Sequence, residues 1–327
     1  MHHVTRPPQT PAAFKALISA LFLFLSIFHF APKAGAQAFS QLMAVSPAID
    51  LPYAPAPAHA TVYTAAPGLN VYFLNVGQGD AIYIELPGGQ TALIDGGPSG
   101  SASGPLAQFL AEKKVSNIDH VVLTHPHSDH YNGLQYVFSN IQVGHFYDTR
   151  MENKNATGDN TLRSLAGSLK VPTFYPAAGD HLNWGEGLDV KVFNACPEAA
   201  ESSNSNAINN CSITLKITYQ NSSILLTGDT QNDAEARLVQ RYGAELKADA
   251  LKVGHHGSKY SSTDIFLNAV RPARAYIEVG QNNYGHPTQA ALDRLLRSGA
   301  KVFRTDLDGM QQFTAEAPSL PAALPAE

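Results

Sequence analysis

The sequence predicts an α/β fold in which two β-sheets pack against each other and helices cover their outer faces. Three observations lead to this prediction: β-rich runs occur in both halves of the chain, amphipathic helical patterns lie between them, and 327 residues suffice for one large core. The apolar share of 44% and the charged share of 15% are typical of a globular protein and exclude a disordered or fibrous class.

In the first half of the folded part, alternation of apolar residues and turn signals predicts strands before helices. We expect strands over 71–76, 81–86 and 91–94, with a Pro-Gly-Gly turn at 87–89. Helical spacing of the apolar residues then predicts a helix over 106–114, and a buried strand follows over 120–124.

The second half begins with a predicted hairpin and continues with alternating strands and helices. The hairpin joins residues 211–219 to 223–227 through a turn at Gln220 and Asn221. An amphipathic helix over 231–242 follows it. Further on, we expect strands over 251–253, 275–279 and 301–303 and helices over 262–269 and 288–298. No internal repeat of short period interrupts this order.

The N-terminal residues 1–38 have the pattern of a secretory signal peptide. Arg6 and Lys15 precede an apolar run over 16–30, and the small-residue stretch AGAQA follows at 34–38. The run is shorter than the ~20 residues that a membrane-spanning helix needs. We therefore expect cleavage near Ala38 and an exported, periplasmic or secreted protein without a stable membrane span; the alternative is an uncleaved N-terminal anchor.

The flanks of the folded part differ from it in composition. Residues 39–69 are rich in alanine and proline, which predicts an extended linker, and residues 316–327 with three prolines predict a flexible tail. The predicted domain therefore covers 70–315. Loss of the leader removes Arg6, Lys15 and Lys33 but no acidic residue, so the formal net charge falls from −5 to −8. This charge argues against tight nonspecific binding of duplex DNA.

The only two cysteines, Cys196 and Cys211, leave three interpretations open. In an oxidising compartment they can form a disulfide, which for a loop of this size contributes roughly 3 kcal/mol. The alternatives are two buried thiols or a metal-binding Cys211.

The strongest chemical signal is the segment THPHSDHYNG at 124–133. It follows a predicted strand and holds four metal-binding side chains within six positions: His125, His127, Asp129 and His130. Imidazole and carboxylate together suit zinc, and also manganese or iron. In a tight loop, the first two side chains can face one ion and the last two a second. The alternative is a polar surface loop.

Other predicted strands end in residues of the same chemical types. Asp95 follows the strand at 91–94, Asp229 follows the strand at 223–227, and His255 and His256 follow the strand at 251–253. A single carboxylate at such a position is often only a helix cap or a turn former. Because four strand ends carry His or Asp, we expect them to meet at one metal site.

With these motifs, the chain resembles the metallo-β-lactamase superfamily, and within it the hydrolase domain of ComEC-type competence proteins. The resemblance covers nearly all of residues 71–310 and includes NVGQGDA at 75–81, LKVGHHGS at 251–258, YGHP at 284–287 and RTD at 304–306. It implies a four-layer αββα sandwich and a hydrolase that uses a metal-bound hydroxide. The implied cofactors are two divalent metal ions, zinc above manganese or iron.

The resemblance also implies roles for individual residues. His125 and His127 would bind the first ion, Asp129 and His130 the second, and Asp229 would bridge both.

Further residues are implied around these ligands. His256 rather than His255 would be the late metal ligand, with His255 behind it or facing substrate. Asp95 would orient a ligand histidine, and Asp80 would do the same or cap a turn. Ser258, with Lys259 and Ser261, would suit phosphate oxygens or form a solvated loop. The implied catalytic residues are Asp129, Asp229 and His286, the last contacting a substrate oxygen or protonating the leaving group.

One departure from the family pattern concerns the first ion. Most of the superfamily supplies another histidine before the strand that leads to the bridging aspartate, but residues 207–212 read AINNCS. Asn209 would take that place, so the first ion would be held more weakly.

Three functions follow as hypotheses. The first is a phosphodiesterase acting on nucleic acid or a small phosphodiester, and the second is hydrolysis of a small carbonyl substrate such as a lactone, thioester or β-lactam. The third is a non-catalytic metal-binding module. A true β-lactamase is disfavoured because such enzymes lack the pairing of Asp129 with His130 and the bridging Asp229. The sequence indicates no protein partner.

Overall fold

The structure, a computed structural model, describes residues 68–316 with the exception of residue 197. The predicted signal peptide (1–38), nearly all of the predicted linker (39–69) and nearly all of the predicted tail (316–327) lie outside the described residues. The linker boundary is wrong by two residues, because Gly68 and Leu69 begin the first strand and Leu69 is fully buried. Residue 316 ends the last strand rather than beginning the tail.

Sixteen strands are present in the described part of the chain. In chain order they are β1 Gly68–Phe73, β2 Ile82–Glu85, β3 Thr91–Ile94, β4 Asn117–Leu123, β5 Gln142–Asp148, β6 Met151–Asn153, β7 Thr173–Phe174, β8 His181–Leu182, β9 Leu188–Asn194, β10 Ala200–Ser202, β11 Thr214–Tyr219, β12 Ser222–Leu226, β13 Ala250–Lys252, β14 Arg274–Ile277, β15 Lys301–Arg304 and β16 Gln311–Glu316.

Eight α-helices and two short 3-10 turns connect these strands within 68–316. The helices are α1 Pro105–Glu112, α2 Ser128–Asn140, α3 Gly158–Ser168, α4 Ser205–Asn209, α5 Asn232–Tyr242, α6 Asp264–Val270, α7 Gln289–Arg297 and α8 Thr305–Asp308, and the turns are Gly243–Leu246 and Gly254–Gly257.

The strands form two mixed seven-stranded sheets and one small pair. The first sheet has the order β16-β1-β2-β3-β4-β5-β7, the second has the order β15-β14-β13-β12-β11-β9-β8, and β10 pairs with β6. In the first sheet β3, β4, β5 and β7 are parallel, and in the second β12, β13, β14 and β15 are parallel.

Three apolar clusters define four layers. One cluster lies between the sheets and includes Phe73 of β1 and Leu215 of β11. A second packs α1, α2 and α3 on the outer face of the first sheet, and a third packs α5, α6 and α7 on the outer face of the second. Burial of these faces removes apolar surface from water, which is the main stabilising term of such a sandwich. The predicted αββα architecture is confirmed.

Most predicted elements are present, with ends shifted by a few residues, but the elements between residues 128 and 209 and those after residue 304 were missed. Helix α2 begins inside the histidine-rich segment, β5 follows it, and β16 pairs antiparallel with β1 from the opposite end of the folded part. The polar residues at the start of α2 conceal its apolar face, which begins only at Tyr131. No described helix is long and apolar enough to cross a membrane.

The topology brings the chemically active loops together. Because the carboxyl ends of parallel strands lie at one edge of a sheet, the loops after β3 and β4 meet on the first sheet. The loops after β12, β13 and β14 meet on the second sheet in the same way. A backbone hydrogen bond of 2.9 Å from Ile213 N–H to the Thr124 carbonyl joins the two edges.

Candidate metal centre

The histidine-rich segment turns from strand β4 into helix α2. The strand ends at Leu123, and α2 begins at Ser128 with His127 in an extended conformation before it. Asp129 lies in the first turn of α2, where the helix dipole favours a carboxylate. The helix start is pressed against the loop after β3, since a Cβ on Gly133 would collide with the Gly96 carbonyl oxygen. This close approach brings α2 to Asp95.

The predicted ligands form two groups that share one carboxylate. His125, His127 and Asp229 bring donor atoms within 4.8 Å of one another, and Asp129, His130 and His256 do the same. We call the first group half one and the second group half two. Asp229, only 2% exposed, lies between them.

Four imidazoles surround the Asp229 carboxylate. Its Oδ2 lies 3.7 Å from Nε2 of His125, 3.4 Å from Nε2 of His130, 3.7 Å from Nε2 of His255 and 3.6 Å from Nε2 of His256. This arrangement fits the bridging role that the resemblance implies for Asp229.

His130 is oriented by Asp95, as predicted. The Nδ1 atom of His130 lies 2.8 Å from Oδ2 of Asp95, which leaves Nε2 facing the centre. Thr124 fixes the carboxylate in turn, donating from its backbone N–H (2.8 Å) and its hydroxyl (2.7 Å). Such outer partners set the tautomer and direction of a ligand imidazole.

Charged residues surround His256, and two of them, Glu278 and Lys252, were not predicted from the sequence. Its Nδ1 donates to the Glu278 carbonyl oxygen (2.8 Å) and lies 3.2 Å from Oδ1 of Asp80. The other carboxylate oxygen of Asp80 pairs with the Lys252 ammonium at 2.7 Å, and both side chains are buried. The position of Lys252 inside the apolar strand β13 could have indicated this pair, because a lysine is seldom fully buried without a partner.

Half one is held by neutral groups. Nδ1 of His125 lies 3.0 Å from the Thr124 hydroxyl and 3.3 Å from the Ser212 hydroxyl. His127 places Nδ1 2.9 Å from Nε2 of His125 and Nε2 3.3 Å from the Ser205 hydroxyl.

Asn209 ends helix α4 beside half one. Its buried Oδ1 has no hydrogen-bond partner among the described residues, and its Nδ2 lies 3.5 Å from both ring nitrogens of His255. His255 is further held by the Gln231 amide, 2.9 Å from Nδ1. Its side chain is 23% exposed, whereas that of His256 is 1% exposed. His256, not His255, therefore lies in the closely spaced ligand group.

Buried charges at the centre raise the pKa values of His130 and His256, the two histidines of half two. Burial by itself lowers the pKa of His130, but Asp229, Asp95 and Asp129 outweigh it and hold the pKa well above the usual value. Burial is likewise outweighed at His256, where Asp229 and Asp80 raise the pKa to about 10.

The shared carboxylate shifts in the opposite direction. Burial acts to raise the pKa of Asp229, but His256, His130 and His255 hold the pKa well below its usual range. The carboxylates and the two imidazoles of half two thus stabilise each other's charged forms.

These residues fit a pair of divalent cations. Several buried polar atoms at the centre lack a hydrogen-bond partner among the described residues: Nε2 of His130 and His256, Oδ1 of Asp229 and Oδ1 of Asn209. A buried polar atom without a partner costs free energy unless a ligand satisfies it. Imidazole nitrogen and carboxylate oxygen are ligands of zinc, manganese and iron. A cation would replace the protons that these histidines carry.

A pocket of about 330 Å³ opens onto the centre. Five metal-binding side chains of the centre line it: Asp129, Asp229, His127, His255 and His256. Its other lining residues are Gln78, Ser128, Asn153, Asn155, Ala156, Ser205, Tyr284 and His286.

His286 lies in this pocket as the sequence predicted. Its ring is 5.0 Å from that of His255, and burial, followed by His255 and His256, lowers its pKa to about 4. His286 is therefore neutral near pH 7, which favours hydrogen bonding over donation of a proton from an imidazolium.

Ser258 is not brought to the pocket. It is buried and its hydroxyl accepts the backbone N–H of Tyr260 at 3.3 Å, so it stabilises the turn after His256. Ser261 likewise donates to the Thr230 carbonyl (2.8 Å), and neither it nor Lys259 lines the pocket. The structure therefore places none of these three residues in the lining of the pocket.

The two cysteines form a disulfide. Cys196 and Cys211 close the loop that contains α4, and with it Ser205 and Asn209 of half one. The disulfide prediction is confirmed, and the interpretation of Cys211 as a metal ligand is wrong.

Comparison with known proteins agrees with this geometry. Residues 74–191 match the family model of the metallo-beta-lactamase superfamily. The chain is 27% identical to ComE operon protein 3 of Bacillus subtilis (strain 168), over 74% of this chain and 32% of that protein. It is 32% identical to competence protein ComA of Neisseria gonorrhoeae, over 73% of this chain and 31% of that protein. The chain thus spans about a third of the length of these curated relatives.

Among solved structures, the diiron β-hydroxylase CmlA from Streptomyces venezuelae superposes with a TM-score of 0.52 at 16% identity. The match covers 76% of this chain and 54% of that one and concerns the fold alone. Together these findings confirm the predicted resemblance: the chain has the metallo-β-lactamase fold and resembles the metal-dependent hydrolase domain of ComEC-type proteins.

Proposed function

Because this chain has the metallo-β-lactamase fold and resembles the hydrolase domain of ComEC-type proteins, we propose that it is an exported phosphodiesterase that uses two metal ions. The observation that carries the proposal is the position of Asp229 between two groups of ligands. His125 and His127 would hold the first ion, and Asp129, His130 and His256 the second. Zinc is the proposed metal because imidazole dominates the ligand set.

When bound, two adjacent divalent cations lower the pKa of a water molecule and neutralise charge that develops on phosphoryl oxygens. The protein's own groups complete the chemistry. The pKa of Asp129 lies below its usual range, because His130 and His256 outweigh the effect of burial, so Asp129 is an anion that lines the pocket. It can accept a hydrogen bond from the attacking water and orient it.

The opposite wall of the pocket would bind the phosphodiester. His286 is neutral at pH 7, and its side chain reaches the same pocket as Asp129. Asn153 and Asn155 also line the pocket, and because each amide uses one N–H for a backbone carbonyl, its second N–H would be the neutral donor toward substrate. These groups would position a phosphodiester between Asp129 and His286 without adding fixed positive charge.

The test is a metal analysis combined with a substrate screen of the purified chain. The screen uses bis-p-nitrophenyl phosphate, single-stranded DNA, nitrocefin and a simple lactone. We expect two bound ions per chain and turnover of the phosphodiesters. Turnover of nitrocefin or the lactone alone would contradict the proposed substrate class, and a chain that binds no metal would contradict the mechanism.

Export rests on the signal-peptide pattern of residues 1–38 and is supported by the disulfide, because disulfides persist in oxidising compartments. Intact-mass analysis of the protein from its native cells tests it. We expect a mature chain that begins near residue 39, and a full-length reduced chain would contradict export.

A further inference from the structure

The pocket over the metal centre is lined by histidines and neutral or acidic residues rather than by lysine or arginine. None of the described residues that line it is Lys or Arg. Lys154, between the lining residues Asn153 and Asn155, is paired with Glu201 at 2.9 Å. Lys259 lies beyond the pocket with its ammonium 5.0 Å from the Tyr260 ring.

This charge distribution bears on the length of the substrate. Proteins that hold a nucleic-acid strand neutralise successive phosphates with Lys and Arg, which accounts for most of their nonspecific affinity. Around this pocket the proposed metal ions would be the available cations, so a single phosphodiester group can be neutralised. A volume of about 330 Å³ is also near the lower end for small-molecule pockets.

One aromatic side chain stands at the mouth of the pocket. The Tyr284 ring is 74% exposed and lies 5.8 Å from the His286 ring at an interplanar angle of 34°. A large aromatic ring left exposed beside polar lining residues offers a stacking surface for another flat ring.

The loop that carries this ring is fixed by Asn282. Its Nδ2 donates to the carbonyl oxygens of Gly280 and His286, each at 2.8 Å. Its Oδ1 accepts the backbone N–H groups of Tyr284 (3.0 Å) and His286 (3.1 Å). Asn282 therefore fixes Tyr284 and His286 relative to each other, with Tyr284 at the mouth of the pocket and His286 inside it.

We infer that the substrate is a small nucleotide phosphodiester of about dinucleotide size, whose base stacks on Tyr284 while its single phosphodiester reaches the metal centre. The inference rests on the proposed phosphodiesterase function and narrows its substrate class. A long strand would need Lys or Arg side chains along its path, and none of the described residues that line the pocket is of either type.

The test compares two chromogenic esters that share a leaving group. Thymidine 5′-(p-nitrophenyl phosphate) carries a base, and methyl p-nitrophenyl phosphate does not. We expect the wild-type kcat/KM to be higher for the thymidine ester. Tyr284→Ala should reduce this preference about 5- to 100-fold, which is the range for loss of one base–aromatic stack. The reduction should come from a higher KM for the thymidine ester. Tyr284→Phe should restore the preference. Tyr260→Ala, which removes a ring 51% exposed outside the pocket, is the matched control.

A second arm uses a 30-nucleotide single strand and a dinucleotide at several salt concentrations. We expect the dinucleotide to be cleaved with the higher kcat/KM and with little salt dependence. Efficient internal cleavage of the long strand, or an unchanged ester preference in Tyr284→Ala, would overturn the substrate class and leave the phosphodiesterase function standing. If the wild-type chain hydrolyses no phosphodiester, the proposed function itself fails and the inference fails with it.

Discussion

The two halves of the metal centre share Asp229 but are supported by different chemistry. In half two, His130 and His256 are backed by Asp95 and Asp80, and Lys252 balances Asp80 from behind. In half one, the outer contacts of His125 and His127 are the hydroxyl groups of Thr124, Ser212 and Ser205.

The difference has a physical consequence for the two proposed ions. Carboxylate partners make a ligand imidazole more basic and fix its direction, whereas hydroxyl groups do so weakly. Half one also has the buried amide of Asn209 beside it, at the place where the family resemblance implies a histidine in most members, and a neutral amide is the weaker zinc ligand. We therefore expect half two to bind its ion more tightly than half one.

The largest effect should come from the residue that both halves share. Asp229→Ala removes the carboxylate between four imidazoles and leaves His130 and His256 without their main anionic partner. We expect loss of both ions and a fall in kcat of at least about 1000-fold, measured by elemental analysis and phosphodiester turnover. Asp233→Ala, an exposed acidic residue in the first turn of α5, is the control. Normal metal content in Asp229→Ala would refute the shared site.

A narrower change removes the charged support of half two. Lys252→Met leaves Asp80 buried without its ammonium partner. By analogy with other broken buried ion pairs, we expect the free energy of unfolding to fall by about 3–5 kcal/mol. We expect the tighter ion to bind about 10- to 100-fold more weakly, with the weaker ion little changed. Metal titration and denaturant unfolding measure the two effects. Lys216→Met, a partly buried lysine that bonds the Glu245 carbonyl, is the control.

Half one should be strengthened by supplying the missing ligand. Asn209→His replaces a buried amide next to His255 by an imidazole. We expect the weaker ion to bind about 10-fold more tightly, because a neutral amide is exchanged for a preferred zinc ligand. Competition with a metal chelator measures the change, and Asn209→Ala should shift affinity in the opposite direction. Equal affinities in all three proteins would show that Asn209 does not face the ion.

The smallest effect should lie outside both halves, at His286. His286→Gln keeps a hydrogen-bonding side chain, so we expect a loss of only about 5-fold in kcat/KM. Because burial and the neighbouring histidines lower the pKa of His286 to about 4, it stays deprotonated from pH 5 to 9. The shape of the pH–rate profile in that range should therefore match that of wild type. Loss of one limb in the variant would contradict this assignment.

The proposed metal ligands can be predicted from the sequence more fully than the residues that support them. His125, His127, Asp129 and His130 follow from spacing, since four metal-binding side chains within six positions rarely occur away from a metal site. Asp229, Asp95 and the pair His255 and His256 follow because each comes just after an apolar strand, and the choice of His256 over His255 follows from the family resemblance. Their joint placement depends on parallel strands ending at one edge, which alternating strand and helix patterns predict.

The outer support could not be predicted in the same way. Glu278 contributes through its backbone carbonyl, which leaves no trace in the side-chain pattern. Lys252 and Asp80 are 172 positions apart in the sequence and meet only through packing of the two sheets. Strand β16 was missed because its partner β1 lies at the opposite end of the folded part.

The most direct test of the unequal metal centre is a zinc titration of the metal-free chain by calorimetry, repeated on His256→Ala and His125→Ala. We predict two binding events in wild type whose dissociation constants differ by at least about 10-fold, the effect of outer support on a metal ligand. The tighter event should disappear in His256→Ala and the weaker one in His125→Ala. A single event, two equal events, or loss of the tighter ion in His125→Ala would contradict the unequal centre.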